Sequence, residues 1–122
     1  MKRPSVTSSL QTKPGDIVVV PFPFVERAGA RRRPALVLST RRFNDAGHAV
    51  LAMVTTSSHA TWPGDVMITD LTAAGLRVEC RVRLKLFTLD NRLIVRRIGR
   101  LARGDLESVS ASLSRHLMPR PK

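Results

Sequence analysis

Cys80-Arg81-Val82-Arg83-Leu84-Lys85-Leu86 alternates basic with apolar or small residues over seven positions. Successive side chains of an extended chain point to opposite faces, so this stretch reads as a strand with one buried face and one cationic face. Such a strand needs partners, and the rest of the chain supplies them. Ile17-Val18-Val19-Val20-Pro21-Phe22 is a β-branched run, with Pro21 and Pro23 ending its ladder pairing or confining it to an edge. Pro34–Ser39 and His48–Thr55 are apolar runs, Asp65–Thr69 alternates, and Leu93–Gly99 can form a further strand. Asn, Asp and Gly within residues 43–47 and 89–92 suit turns, as does Ala73-Ala74-Gly75-Leu76. Only the end reads as a long helix. Asp105 is placed to cap it, Leu106, Val109, Leu113 and Leu117 recur at three- and four-residue spacing, and Pro119 stops it. The expected fold is α+β, mostly antiparallel β, a small barrel with a C-terminal helix.

A length of 122 residues suits one domain. Residues 1–13 read as a flexible basic arm, 14–118 as the folded domain and 119–122 as a short tail. Net charge is +12, and seventeen of the twenty-one basic residues are arginine. Arginine binds phosphate through a planar fork and stacks on bases, so nucleic acid is the first partner to expect. One cysteine, Cys80, excludes an intrachain disulfide framework and a cysteine-rich zinc site, and it reads as packed rather than reactive. The N-terminus has no apolar signal region, and no run approaches the roughly 18 apolar residues of a membrane span. These features predict a cytoplasmic protein with no membrane association, and nothing in the sequence calls for a metal or another cofactor.

The same segments carry a resemblance. Gly15-Asp16-Ile17-Val18-Val19-Val20-Pro21-Phe22-Pro23-Phe24 is followed by Arg33-Pro34-Ala35-Leu36-Val37-Leu38-Ser39 and Thr55-Thr56-Ser57-Ser58. Gly75-Leu76, Lys85-Leu86-Phe87-Thr88-Leu89-Asp90 and Ile98-Gly99-Arg100-Leu101 complete the series. In this order and at these spacings, residues 14 to about 117 resemble the MazF/PemK toxins of type II toxin–antitoxin systems. The resemblance implies an SH3-like β-barrel, a homodimer, and metal-independent cleavage of single-stranded RNA at short sequences. It also implies an acidic antitoxin whose disordered tail occupies the RNA groove. Matched onto this sequence, the family's catalytic arginine falls on Arg33 and its catalytic threonine on Thr55. Many members carry an acidic residue where this chain has Leu84, so no carboxylate role is carried over there.

RNA is cut when a 2′-OH attacks the adjacent phosphorus, and the catalyst must move two protons and stabilise the added charge. Arg33 offers a fork of donors for phosphate oxygens, and Thr55 a hydroxyl. Expected RNA contacts are Arg31, Arg32, Thr56, Ser57, His59, Arg81, Arg83 and Lys85. Each has a plainer reading: Arg31–Arg33 as a solvated cluster, Thr55 as an ordinary strand residue, the hydroxyls as loop solvation, and His59 as a loop residue. Trp62, the only tryptophan, is either a lid on the core or a base-stacking platform, and core is the preferred reading. Two other functions compete. A relative of similar fold poisons DNA gyrase, and a passive nucleic-acid-binding barrel would expose aromatics for stacking.

Overall fold

The computed structural model describes residues 10–21 and 31–121. The elements run β1 (Asp16–Pro21), β2 (Arg32–Val37), α1 (Arg41–Asn44), β3 (His48–Thr56), β4 (Val66–Met67), α2 (Leu71–Ala74), β5 (Cys80–Asp90), β6 (Arg96–Arg100) and α3 (Arg103–Leu117). The six strands form one antiparallel sheet in the order β4-β5-β3-β2-β1-β6. The predicted α+β class with a C-terminal helix is the observed one.

Period-two alternation decides the two faces of this sheet. Ile17, Leu36, Ala52, Val54 and Val82 enter one cluster with Ile68, Ala74, Leu101 and Val109 of α3. Val18, Val20, Ala35, Val37, Ala49, Leu51 and Leu89 enter a second cluster. Alternate residues of β1, β2 and β3 thus serve different clusters, which explains why these strands read as continuous apolar runs. Cys80 is buried at the start of β5, and its burial raises the thiol above its ordinary pKa, in keeping with a packed role.

The sheet curls until its edges are bridged. α2 leaves the β4 edge and packs on β6 at the opposite edge. Gly75 closes α2 in the left-handed region at φ 75°, where a Cβ would lie 2.0 Å from the Ile98 carbonyl oxygen. A Cβ on Gly99 would fall 2.3 Å from the Ala74 carbonyl carbon. Glycine at both positions lets backbone meet backbone. Gly99→Ala should therefore force α2 away from β6 and cost about 1–3 kcal/mol, the usual range for overpacking. A thermal melt tests this; an unchanged midpoint would mean the α2–β6 contact gives way without cost.

Local details differ from expectation where tertiary contacts intervene. The 43–47 turn is preceded by α1, capped by Thr40, whose Oγ1 accepts from the Phe43 N–H at 3.2 Å. Buried Asn44 donates to the Thr12 carbonyl at 3.0 Å and the Ser39 carbonyl at 3.1 Å. Thr12, within the expected arm, is itself buried. α3 begins at Arg103 with Ala102 as its N-cap, not at Asp105. The Asp105 carboxylate instead accepts from the Thr69 N–H, the Thr69 hydroxyl and the Asp70 N–H, tying the helix to the segment between β4 and α2. Burial alone would raise this carboxyl, but the accepted hydrogen bonds outweigh it and hold it below the ordinary range. Among the described residues no helix is long and apolar enough to cross a membrane.

Candidate functional site

Register brings the expected catalytic pair together. Ladder pairing of β2 with β3 runs from Ala35–Met53 to Val37–Leu51. Followed two residues past Ala35 and Met53, the same register sets Arg33 across from Thr55. Arg33 also pairs with Val20 of β1, and Thr55 with Arg81 of β5. Val20, Arg33, Thr55 and Arg81 therefore form one row across four strands, their side chains on one face of the sheet. That face holds the second apolar cluster at one end and this polar row at the other.

Arg33 is half-buried and Thr55 is 7% exposed. Several carboxylates among the described residues are already paired with other arginines. Asp16, buried at the start of β1, accepts from Arg100 Nε at 2.9 Å and lies 3.5 Å from Arg97. Asp90 binds Arg92, and Glu107 binds Arg103. Among the described residues, no carboxylate pairs with Arg33 and no side-chain hydrogen bond engages the Thr55 hydroxyl. A half-buried guanidinium in one row with a buried hydroxyl, neither with a side-chain partner among the described residues, is a place where an anion can be held.

Arg81, Arg83 and Lys85 do share the same face of β5, but the cationic face is not open to water. Arg81 is 8% and Arg83 7% exposed, because the loop after β3 folds over them. Asp65, whose side chain is 8% exposed, accepts from Arg83 Nε at 3.1 Å and Nη2 at 2.9 Å, and its Oδ2 lies 3.5 Å from Arg81 Nη1. Arg81 also donates to the Ser57 carbonyl at 2.8 Å and the His59 carbonyl at 3.3 Å, while Arg83 donates to that of Ala60. Burial by itself would raise the Asp65 carboxyl; the Arg83 hydrogen bond, the Trp62 N–H and both cationic charges outweigh it, and the group is held below its ordinary value. Arg81 Nε is buried and has no hydrogen-bond partner among the described residues. It belongs to the side chain beside Thr55.

The loop thus fixed presents the other expected contacts. Thr56 and His59 are exposed, with Thr56 Oγ1 2.9 Å from Ser58 Oγ, and Ser57 Oγ donates to Glu79 at 3.3 Å. Gly64 is anchored from α3 by Ser112, whose Oγ donates to its carbonyl at 2.6 Å. Arg31 and Arg32 are exposed at the start of β2. Most of the basic loop expected over residues 25–33 lies outside the described residues. Trp62 does not enter the core: it is 41% exposed, with the Arg83 guanidinium 5.1 Å and the Lys85 ammonium 5.8 Å from its ring centroid. The pairing of β5 with β3 shifts between Arg83 and Leu86, leaving Leu84 and Lys85 as extra residues on β5. Leu84 turns to the opposite side, where a Cβ on Gly64 would meet it at 2.7 Å. Asp65 was missed from sequence because nothing near it in the chain announces partners sixteen and eighteen residues away. Among the described residues, no group of three or more His, Cys, Asp or Glu could hold a metal ion.

The fold is thus a curled six-stranded antiparallel sheet with a C-terminal helix. The sequence profile of the PemK-like, MazF-like toxins of type II toxin–antitoxin systems matches residues 13–117, and the chain belongs to that family. Among solved structures, an endoribonuclease from a mycobacterial species, in complex with its cognate antitoxin, superposes with a TM-score of 0.69 at 18% identity, covering 91% of this chain and 98% of that one. MazF from Deinococcus radiodurans gives 0.67 at 24% identity, covering 89% and 98%. A MazE–MazF structure from the same organism gives 0.66 at 26% identity, covering 88% and 97%. No match is found among curated protein sequences.

Proposed function

We propose that this protein is a ribonuclease toxin that cuts single-stranded RNA without a metal ion, leaving a 2′,3′-cyclic phosphate and a 5′-OH. The observation that carries the reading is the half-buried Arg33, unpaired among the described residues, in one row with the buried Thr55. Arg33 places a rigid fork of N–H donors where charge grows on the phosphorane, and Thr55 donates to a non-bridging oxygen. Arg81, paired with Thr55 across the β3–β5 ladder, adds positive charge beside the same row. Arg81 and Arg83 act through charge more than through contact, since Asp65 and three loop carbonyls occupy most of their donors. Arg31, Arg32, Thr56, Ser57, His59 and Lys85 would line the path of the strand.

The mycobacterial relative is an endoribonuclease bound to an antitoxin, and by likeness this chain would meet an acidic antitoxin in the cytoplasm and act as a homodimer. An acidic disordered segment suits a site built for phosphates, and both should bind less tightly as salt rises. A second reading, RNA binding without cleavage, gains from the exposed Trp62. One assay separates the two. Purified protein is incubated with a long single-stranded RNA, with and without EDTA, and the cut ends are mapped. Cleavage at the same rate in EDTA, with cyclic phosphate ends, is expected. Loss of cutting in EDTA restored by magnesium overturns the mechanism, and binding without any cutting favours the second reading.

A further inference from the structure

Trp62 stands on the same face as the Arg33–Thr55 row, against Arg83 of β5, and has no part in the cleavage step. We propose that its ring is a stacking platform for one unpaired base of the RNA, which makes it a binding and specificity subsite. This deepens the nuclease reading and rests on it. Two cations from β5 lie against the ring, Arg83 at 5.1 Å and Lys85 at 5.8 Å from its centroid, yet 41% of the residue is open to solvent. A ring held against two cations and still exposed over much of its surface offers apolar area to a base, with positive charge nearby for its phosphate.

Position and rigidity both favour this use. Arg81 lies across from Thr55, and Arg83 is two residues, about 7 Å, further along β5. The platform is therefore set for a nucleotide neighbouring the one held at Thr55. The loop cannot simply swing away. The Trp62 N–H donates to Asp65 at 2.9 Å, the Asp65 N–H returns to the Trp62 carbonyl at 3.1 Å, and Asp65 is locked onto Arg83. Exposing a large aromatic costs solvation energy that burial would have recovered, and a pre-positioned ring loses little entropy when a base arrives.

The sequence contains one tryptophan and no tyrosine, so emission excited at the red edge reports Trp62 alone. The full-length protein is titrated with a short mixed-sequence RNA carrying 2′-O-methyl riboses, which cannot be cut. Anisotropy of a labelled copy follows binding, and tryptophan emission of the unlabelled complex follows stacking. Quenched emission and protection from iodide are expected on saturation. Trp62→Ala should weaken binding about 5- to 100-fold, and Trp62→Phe should restore most of it. Binding with unchanged emission, and a Trp62→Ala affinity within twofold of wild type, overturns the platform while leaving the nuclease reading intact. No RNA binding even at low salt would overturn both. Quenching by a polyglutamate peptide but not by RNA would assign the ring to an acidic protein and overturn the proposal. Should Trp62→Ala fail to fold, the wild-type emission titration decides alone.

Discussion

Arg33→Ala is expected to lower the rate of RNA cleavage by about 10²–10³-fold, the usual result of removing one preorganised donor from a developing oxyanion. Melting should barely change. Arg33 sits near the start of β2, only half-buried, and among the described residues it supports no carboxylate. With no side-chain partner among the described residues, its loss falls on the reaction and not on the fold. Arg33→Lys makes the point sharper. It keeps the charge but replaces a planar fork with a single ammonium, and a site that needs two parallel donors should recover little. Initial rates on a defined RNA, with thermal melts of each variant, give the answer. If Arg33→Ala cuts within threefold of wild type, Arg33 is not catalytic.

Asp65→Ala should have the largest effect on stability. It leaves the buried guanidinium groups of Arg81 and Arg83 with no carboxylate partner among the described residues. Breaking a buried pair in this way costs about 3–5 kcal/mol, a large share of the roughly 5–15 kcal/mol that holds a domain together. The same change frees the loop that carries Trp62, so RNA affinity should fall even where the protein remains folded. Acid offers a second view. Because the folded carboxyl titrates below its ordinary value of 3.8, its stabilisation is fully present above that value. It is lost as pH falls through the lower folded pKa. Asp105, also lowered, adds to the same loss. Urea denaturation at neutral pH and near about pH 3 should show the wild type losing more stability in acid than Asp65→Asn does. A stability change under about 1 kcal/mol at neutral pH would mean that water or loop carbonyls satisfy both arginines without the carboxylate.

What the residues determined by themselves was the set of strands and their faces. Alternation in residues 80–86 placed Arg81, Arg83 and Lys85 on one side of β5, and the apolar runs became β1, β2 and β3 within a residue or two of their expected limits. These signals are local, since a side chain's face follows from its place in an extended chain. The terminal helix was legible for the same reason, through its three- and four-residue spacing. Motif order also singled out Arg33 and Thr55, and the β2–β3 register, continued two residues beyond Ala35 and Met53, brings their positions opposite one another.

Tertiary structure decided where the charges end up. Whether Arg83 meets water or a carboxylate depends on Asp65, eighteen residues away, and on a loop whose path no local pattern encodes. Trp62 came out of the core for the same reason: two cations and a fixed turn hold it at the surface. Asp105, well suited to cap its own helix, was drawn instead to Thr69 and Asp70, because three donors from a neighbouring segment outbid the helix start. Local propensity chooses the element, and long-range pairing of polar groups, which must be satisfied wherever they are buried, chooses the partner.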